Sequence, residues 1–164
     1  MVTDNVPSIP PAPPTALTLA NGAPDIRAIL QTSPRVAVLG VSSKPERAGS
    51  YVPAYLRGCG YGVVGVNPAM AGQVLFGAPI VASLAELPGP VDVVDVFRRS
   101  EDLAGHLPEL LAMQPRPKVV WLQLGVFDAA VVEALQAAGI VVVVDRCMLA
   151  EHRNLGLGAP TPAS

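Results

Sequence analysis

Five short valine-rich runs, at 35–40, 61–66, 91–97, 118–122 and 140–144, constrain this chain more than anything else in it. A run that is apolar at nearly every position has no face to give to water. It suits a strand covered on both sides, which parallel sheets provide. Segments with helical or turn signals separate the runs, so the pattern is strand, helix, strand, and the class is α/β with a parallel sheet. The composition agrees: 51 % of residues are hydrophobic and 15 % charged. Right-handed crossovers leave few topologies. We expect a doubly wound, five-stranded parallel sheet in the order 3-2-1-4-5.

Residues 1–23 carry Pro7, Pro10, Pro11, Pro13 and Pro14 and no periodicity, so we expect an arm outside the core. The folded domain is expected over 24–154, with a Gly/Pro/Ala-rich flexible tail from 155 to 164. Pro24 suits the first turn of a short helix that Pro34 ends. A helix beginning near Gly49 puts Val52, Tyr55 and Leu56 on one side. Pro53 must lie in its first turn or kink it. Ser83-Leu84-Ala85-Glu86 spells a capping box. Ser100 and Asp128 are expected to cap the two later helices.

The stretch Val36-Ala37-Val38-Leu39-Gly40-Val41-Ser42-Ser43-Lys44-Pro45-Glu46-Arg47-Ala48-Gly49-Ser50 joins the first strand to the first long helix. A strand, a turn and a helix N-terminus present backbone N–H groups and a positive dipole end to an anion. Gly40 is free to take unusual backbone angles and leaves room for a ligand. Ser42, Ser43 and Ser50 supply hydroxyls. Lys44 and Arg47 supply charge, and Lys44 is one of two lysines in the protein. We read the loop as a phosphate cradle, against the plainer alternative of an ordinary turn with solvated Lys and Arg. It is neither a complete G-x-G-x-x-G, since Ser42 replaces the second glycine, nor a Walker A loop.

Ligands of doubly wound sheets bind outside the C-terminal strand ends. Those ends carry Asn67-Pro68, Phe97-Arg98-Arg99, Gln123-Leu124-Gly125 and Asp145-Arg146-Cys147 beside the opening loop. An NAD-binding unit places an acid about 20 residues after its glycine loop to hold the ribose hydroxyls. Asn67 occupies that strand end here, with no acid nearby. One of Arg98 and Arg99 could face an anion while the other is solvated. Phe97 could stack on a base or cover the core, and Trp121 is expected in the core. Asp92 and Asp95 are three apart in a strand and point to opposite faces, which argues against an acid/base pair. On a helix, Cys147 and His152 would lie roughly 140° apart, which argues against a thiol–imidazole dyad. His106, His152 and Cys59 show no metal-ligand spacing.

The formal net charge of −2 argues against a general nucleic-acid surface. No stretch approaches the ~18 uninterrupted apolar residues of a membrane span. With no basic residue before Arg27 and only Cys59 and Cys147 as cysteines, we expect neither a signal peptide nor a disulfide framework, and we assign the cytoplasm. So apolar a chain makes a homodimer plausible, though no motif establishes one.

Six blocks follow one another in a recognisable order. They are Val38-Leu39-Gly40-Val41-Ser42, Gly60-Tyr61 with Val66-Asn67-Pro68, Ser83 to Pro88, Val91 to Arg98, Trp121 to Gly125, and Val144 to Cys147. This combination, over about 24–154, closely resembles the small stand-alone CoA-binding proteins (the YccU-like family). These are related to the CoA-binding domain of the succinyl-CoA synthetase alpha subunit. The resemblance implies a Rossmann-like domain with coenzyme A at the strand C-termini. It implies that Gly40, Ser42, Ser43, Lys44 and Arg47 surround the phosphates, with Ser50 nearby, and that Asn67 and Pro68 line the pocket beside them. Phe97 and Arg98 would meet the ligand from the third strand, and Gln123 and Gly125 from the fourth. The synthetase's phosphorylated histidine domain has no counterpart here, so the ligase reaction is not implied. The proline-rich arm departs from the family's compact start.

Three readings follow. The first is a binding module for CoA or an acyl-CoA without catalysis of its own. The second, an NAD(P)-dependent oxidoreductase, is disfavoured by Ser42 and Asn67. The third is a redox protein using Cys147, whose thiol pKa the adjacent Arg146 could lower.

Overall fold

A computed structural model describes residues 15–162. In chain order the strands are β1 (Arg35–Leu39), β2 (Gly62–Val66), β3 (Val74–Leu75), β4 (Ala78–Pro79), β5 (Val93–Val96), β6 (Val119–Leu122) and β7 (Val141–Val143). The helices are α1 (Ile26–Thr32), α2 (Ala48–Gly58), α3 (Leu103–Ala112), α4 (Ala129–Ala137) and α5 (Met148–Asn154). β3 and β4 form a small antiparallel hairpin. The other five strands form one parallel sheet, as expected for a Rossmann-like α/β fold.

The strand order differs from expectation. It runs β2-β1-β5-β6-β7, so with the five main strands counted along the chain it is 2-1-3-4-5 and not 3-2-1-4-5. The third main strand lies between the first and the fourth. The reason is burial. β5 is covered at every position, whereas β2, with Gly62 and Gly65, has little to pack and leaves Gly62 exposed. A glycine-rich strand loses least at the edge. The chain therefore reverses its direction of travel between β1 and β5, which makes that the crevice where ligands of such sheets bind.

Alternation along the strands builds two cores. Val36, Val38, Val93, Val119, Trp121, Val141 and Val143 face α1, α2 and α5. Ala37, Leu39, Val94, Val96, Val120, Leu122 and Val142 face the other way, toward α3 and α4. Asp25 caps α1 by accepting the Ala28 amide at 3.1 Å, and Asp128 caps α4 through the Val131 amide at 3.1 Å. The Glu86 carboxylate accepts the Ser83 amide as a capping box requires. Ser100 does not cap. A 3₁₀ turn, Ser100–Asp102, leads into α3, and the Ser100 hydroxyl instead bridges the Gly125 carbonyl and the Phe127 amide.

Both ends of the domain extend past the expected boundaries. Leu17 belongs to the first core, and Thr18 bridges to Pro24. Residues 1–14 of the expected arm lie outside the described residues. The tail from 155 is fastened, not free. Leu155 and Leu157 pack on the first core, the Gly158 carbonyl receives Nε2 of buried His152, and the Thr161 amide donates to Gln31. Residues 163–164 lie outside the described residues. Among the described residues, no helix is long and apolar enough to cross a membrane.

Candidate functional site

The loop after β1 is shaped by its own backbone. Gly40 has φ +91°, and a Cβ there would run into the Phe97 carbonyl. Its lack of a side chain admits the strand-end backbone of β5, where the sequence reading expected room for a ligand. Pro53 lies inside α2 and has no N–H to give to the carbonyl of Gly49, four residues back. That carbonyl accepts the Ser42 amide at 3.1 Å instead. The proline thereby leaves that carbonyl to fasten the loop to the helix. The Ser42 hydroxyl in turn accepts the Lys44 amide at 3.1 Å.

Asn67 is part of the same scaffold. Its Nδ2 donates to the Val41 carbonyl at 2.9 Å, and its Oδ1 accepts the Ala69 amide at 3.0 Å, capping the 3₁₀ turn Pro68–Met70. Both ends of its amide serve the chain itself. We expect Asn67→Ala to cost about 1–2 kcal/mol, one cap and one loop tie, read by urea unfolding. A stability within 0.5 kcal/mol of the parent, roughly the noise of such measurements, would remove Asn67 from this role.

A cavity of about 500 Å³ opens at the crevice between β1 and β5. Arg47, Ala48, Gly49 and Tyr51 wall it from the start of α2. Phe97, Arg98 and Arg99 close it from β5, Gln123, Leu124 and Val126 from β6, and Cys147 from the start of α5. Of the residues expected from the sequence, Arg47, Phe97, Arg98 and Gln123 therefore line one cavity. Gly40, Ser42, Ser43, Lys44, Ser50, Asn67, Pro68 and Gly125 do not line it; they surround or build the loops behind it. Gly125 donates its amide to Asp145 Oδ1 at 2.9 Å, which ties the β6 and β7 loops together. Tyr51 and Val126 were not named from the sequence, and Leu124 only as part of the Gln123-Leu124-Gly125 strand end. Each neighbours a core or polar position, so only the half-exposure of Tyr51 and Leu124 beside strand ends marks them. A cleft of about 470 Å³ lies on the opposite side, at the N-terminal strand ends, with Glu109 as its one charged lining residue.

The two arginines divide. Arg99 is exposed and pairs with Asp102 at 3.1 Å and Glu101 at 3.5 Å. Arg98 has a buried Nε without a partner among the described residues. The amides of Ala48 and Gly49, first in α2, have no hydrogen-bond acceptor there either. Unsatisfied helix-start N–H groups and a positive dipole end thus meet an unpaired guanidinium at one cavity. His152 does not serve Cys147 as a base. Nδ1 of His152 bonds the Tyr55 hydroxyl at 2.9 Å and Nε2 the Gly158 carbonyl at 3.0 Å. Asp92 and Asp95 are apart, the first bound to Arg35 at the N-terminal strand end. Among the described residues, no group of three or more His, Cys, Asp or Glu is placed to hold a metal.

The family described as CoA binding domain matches residues 34–153, which run from β1 into α5. The chain belongs to this family. A curated relative is 37 % identical over 128 residues, 78 % of this chain and 92 % of its own: the uncharacterized protein YneT of Bacillus subtilis (strain 168). Among solved structures, cell-free ID.343 from Thermus thermophilus is 48 % identical, with a TM-score of 0.77, covering 80 % of this chain and 96 % of its own. A hypothetical protein from Pyrococcus horikoshii OT3 is 33 % identical, TM-score 0.75, covering 81 % and 91 %. As a CoA binding domain, the chain has its cavity at the crevice expected of the fold.

Proposed function

We propose that this chain binds coenzyme A or an acyl-CoA at the cavity beside the start of α2, as a binding module without catalysis of its own. The phosphates lie against Arg47, Arg98 and the amides of Ala48 and Gly49. The observation that carries this is the buried, unpartnered Nε of Arg98 beside those free amides. A buried donor without an acceptor calls for one from outside the chain, and an arginine with helix-start amides suits a phosphate. Membership of the CoA binding domain family supports coenzyme A as the phosphate carrier. That His152 does not serve Cys147 as a base supports binding over nucleophilic chemistry. Asn67, its amide engaged by Val41 and Ala69, stands where an NAD(P) site places a ribose-holding acid, which weighs against NAD(P).

Calorimetric titration of ligand-stripped protein tests the reading. CoA should bind saturably and NAD should not. Binding of NAD alone would overturn the ligand, and binding of neither would overturn the site. Arg47→Ala should weaken CoA by about tenfold or more, the value of a charge-assisted contact. Its side chain caps nothing, so the melting temperature should stay within about 2 °C. Lys44→Ala should have a smaller effect, because Lys44 is outside the cavity wall.

A further inference from the structure

Asp95 has no evident place in a strand of valines. It lies between Val94 and Val96, fully buried, with Val38 of β1 and Trp121 of β6 as its cross-strand neighbours. Its Oδ1 accepts Nε2 of Gln123 at 2.5 Å, and its Oδ2 has no partner among the described residues. Burying a carboxyl this way is costly, and a valine would pack better. The side-chain bond Asp95 makes is to Gln123, and Gln123 lines the cavity.

An amide has a donor end and an acceptor end. With one end held by Asp95, the other is what the cavity receives. A carboxylate only accepts, so it draws Nε2 inward and leaves Oε1 toward the cavity. A carboxylic acid can donate to Oε1, which turns Nε2 toward the cavity. We propose that Asp95 is a positioning residue that sets which end of the Gln123 amide reads the ligand. The site then favours a ligand group that donates when Asp95 is ionised, and one that accepts when Asp95 carries a proton. This deepens the coenzyme reading and rests on it. With the sulfur end of the coenzyme set against Gln123, a free thiol offers a donor whereas an acyl thioester offers only acceptors, and the pair then discriminates CoA from acyl-CoA.

The surroundings leave Asp95 to Gln123 alone. β1 and β6 bring Val38 and Trp121. On the helices that cover this face, the titratable groups are Arg27 on α1, Arg47, Tyr51, Tyr55, Arg57 and Cys59 along α2, and Cys147, Glu151, His152 and Arg153 around α5. Tyr55 and His152 bond each other, and Glu151 pairs with Arg146. Burial raises the pKa of Asp95, to about 8, against the opposing hydrogen bond from Gln123. The proton is therefore exchanged within the range where the protein can be assayed.

Two measurements test this. In the ligand-free protein, the side-chain amide resonances of Gln123 should shift between pH 6 and pH 9 and stop shifting in Asp95→Asn. In calorimetry over the same range, the ratio of acetyl-CoA to CoA affinity should fall about 3–10-fold with rising pH in the parent, the worth of one hydrogen bond. Asp95→Asn should remove that dependence. The ligands' own titration is common to both proteins and cancels in the comparison. Asp95→Val should keep the fold and lose the dependence as well. Gln123 resonances that ignore both pH and Asp95→Asn, or an affinity ratio that changes identically in the parent and in Asp95→Asn, would overturn the proposal. Failure of the parent to bind CoA would overturn the coenzyme reading instead, and the Gln123 resonances judge the Asp95 pair independently.

Discussion

Replacing Gly40 by alanine is expected to destabilise the protein by about 3 kcal/mol and to weaken ligand binding with it. Two costs combine. The backbone at Gly40 is left-handed, φ +91°, where a side chain costs ~1–2 kcal/mol. The new Cβ would also meet the Phe97 carbonyl oxygen and lie 3.0 Å from its carbon and 3.2 Å from Cδ of Arg98. Those backbone atoms have little room to yield. The Gly40 amide is bonded to Val66 and the Phe97 amide to Leu39, at 2.9 and 2.8 Å. Relief must come from moving the β5 end, and Arg98 leaves with it. Gly125→Ala is the matched control. Its φ is +77° but nothing lies within 4 Å of the added Cβ, so only the backbone cost of ~1–2 kcal/mol applies. Urea unfolding followed by fluorescence of Trp121, the one tryptophan, measures both. Equal losses in the two variants would show that the Phe97 contact at Gly40 is unimportant.

The same residues show how much of the structure was legible in the sequence. The valine runs announced the class because a strand buried on both faces has nowhere to hide a polar residue. Asp128 announced its helix, and Ser83 with Glu86 the turn they cap, because capping is local. The Asp25 cap of α1 was not read, since Pro24 suited its start. The strand order was misjudged because crossover handedness does not choose between the two edges. The cue was the pair Gly62 and Gly65, which fits β2 for the edge and leaves the middle to β5. Within the site, Arg47, Phe97, Arg98 and Gln123 were legible as polar or aromatic groups at strand or helix ends. The roles of Gly40, Asn67 and Pro53 were not. Each depends on a tie between distant segments, such as Asn67 to Val41, which leaves no periodic trace. Leu17 and the tail around Gly158 were missed for the same reason. They join the core through single contacts and bridges, outside any repeating pattern.

Asp95 should also give the protein an unusual response to pH. An unfolded aspartate titrates near 3.8, whereas burial raises the folded one to about 8. Between those values the folded state holds a proton that the unfolded state has lost. Stability rises with pH only where the unfolded state binds more protons, so here the slope is negative. The contribution of Asp95 is greatest below the unfolded value, is lost as pH rises toward 8, and is flat above that, where both states are ionised. At 1.36 kcal/mol per pH unit, the loss between pH 5 and pH 8 is on the order of 4 kcal/mol. Other carboxylates titrate too, so the quantity to follow is the difference between the parent and Asp95→Asn, which has no proton to lose. Denaturant midpoints should favour Asp95→Asn by a margin that widens from pH 5 to pH 8. Parallel stability curves would mean that Asp95 keeps an ordinary pKa, and that the carboxylate is solvated or paired despite its position between Val94 and Val96. A widening margin would identify the cost of retaining Asp95 in the strand, and a residue kept at that cost, touching the cavity through Gln123 alone, is there for what Gln123 presents.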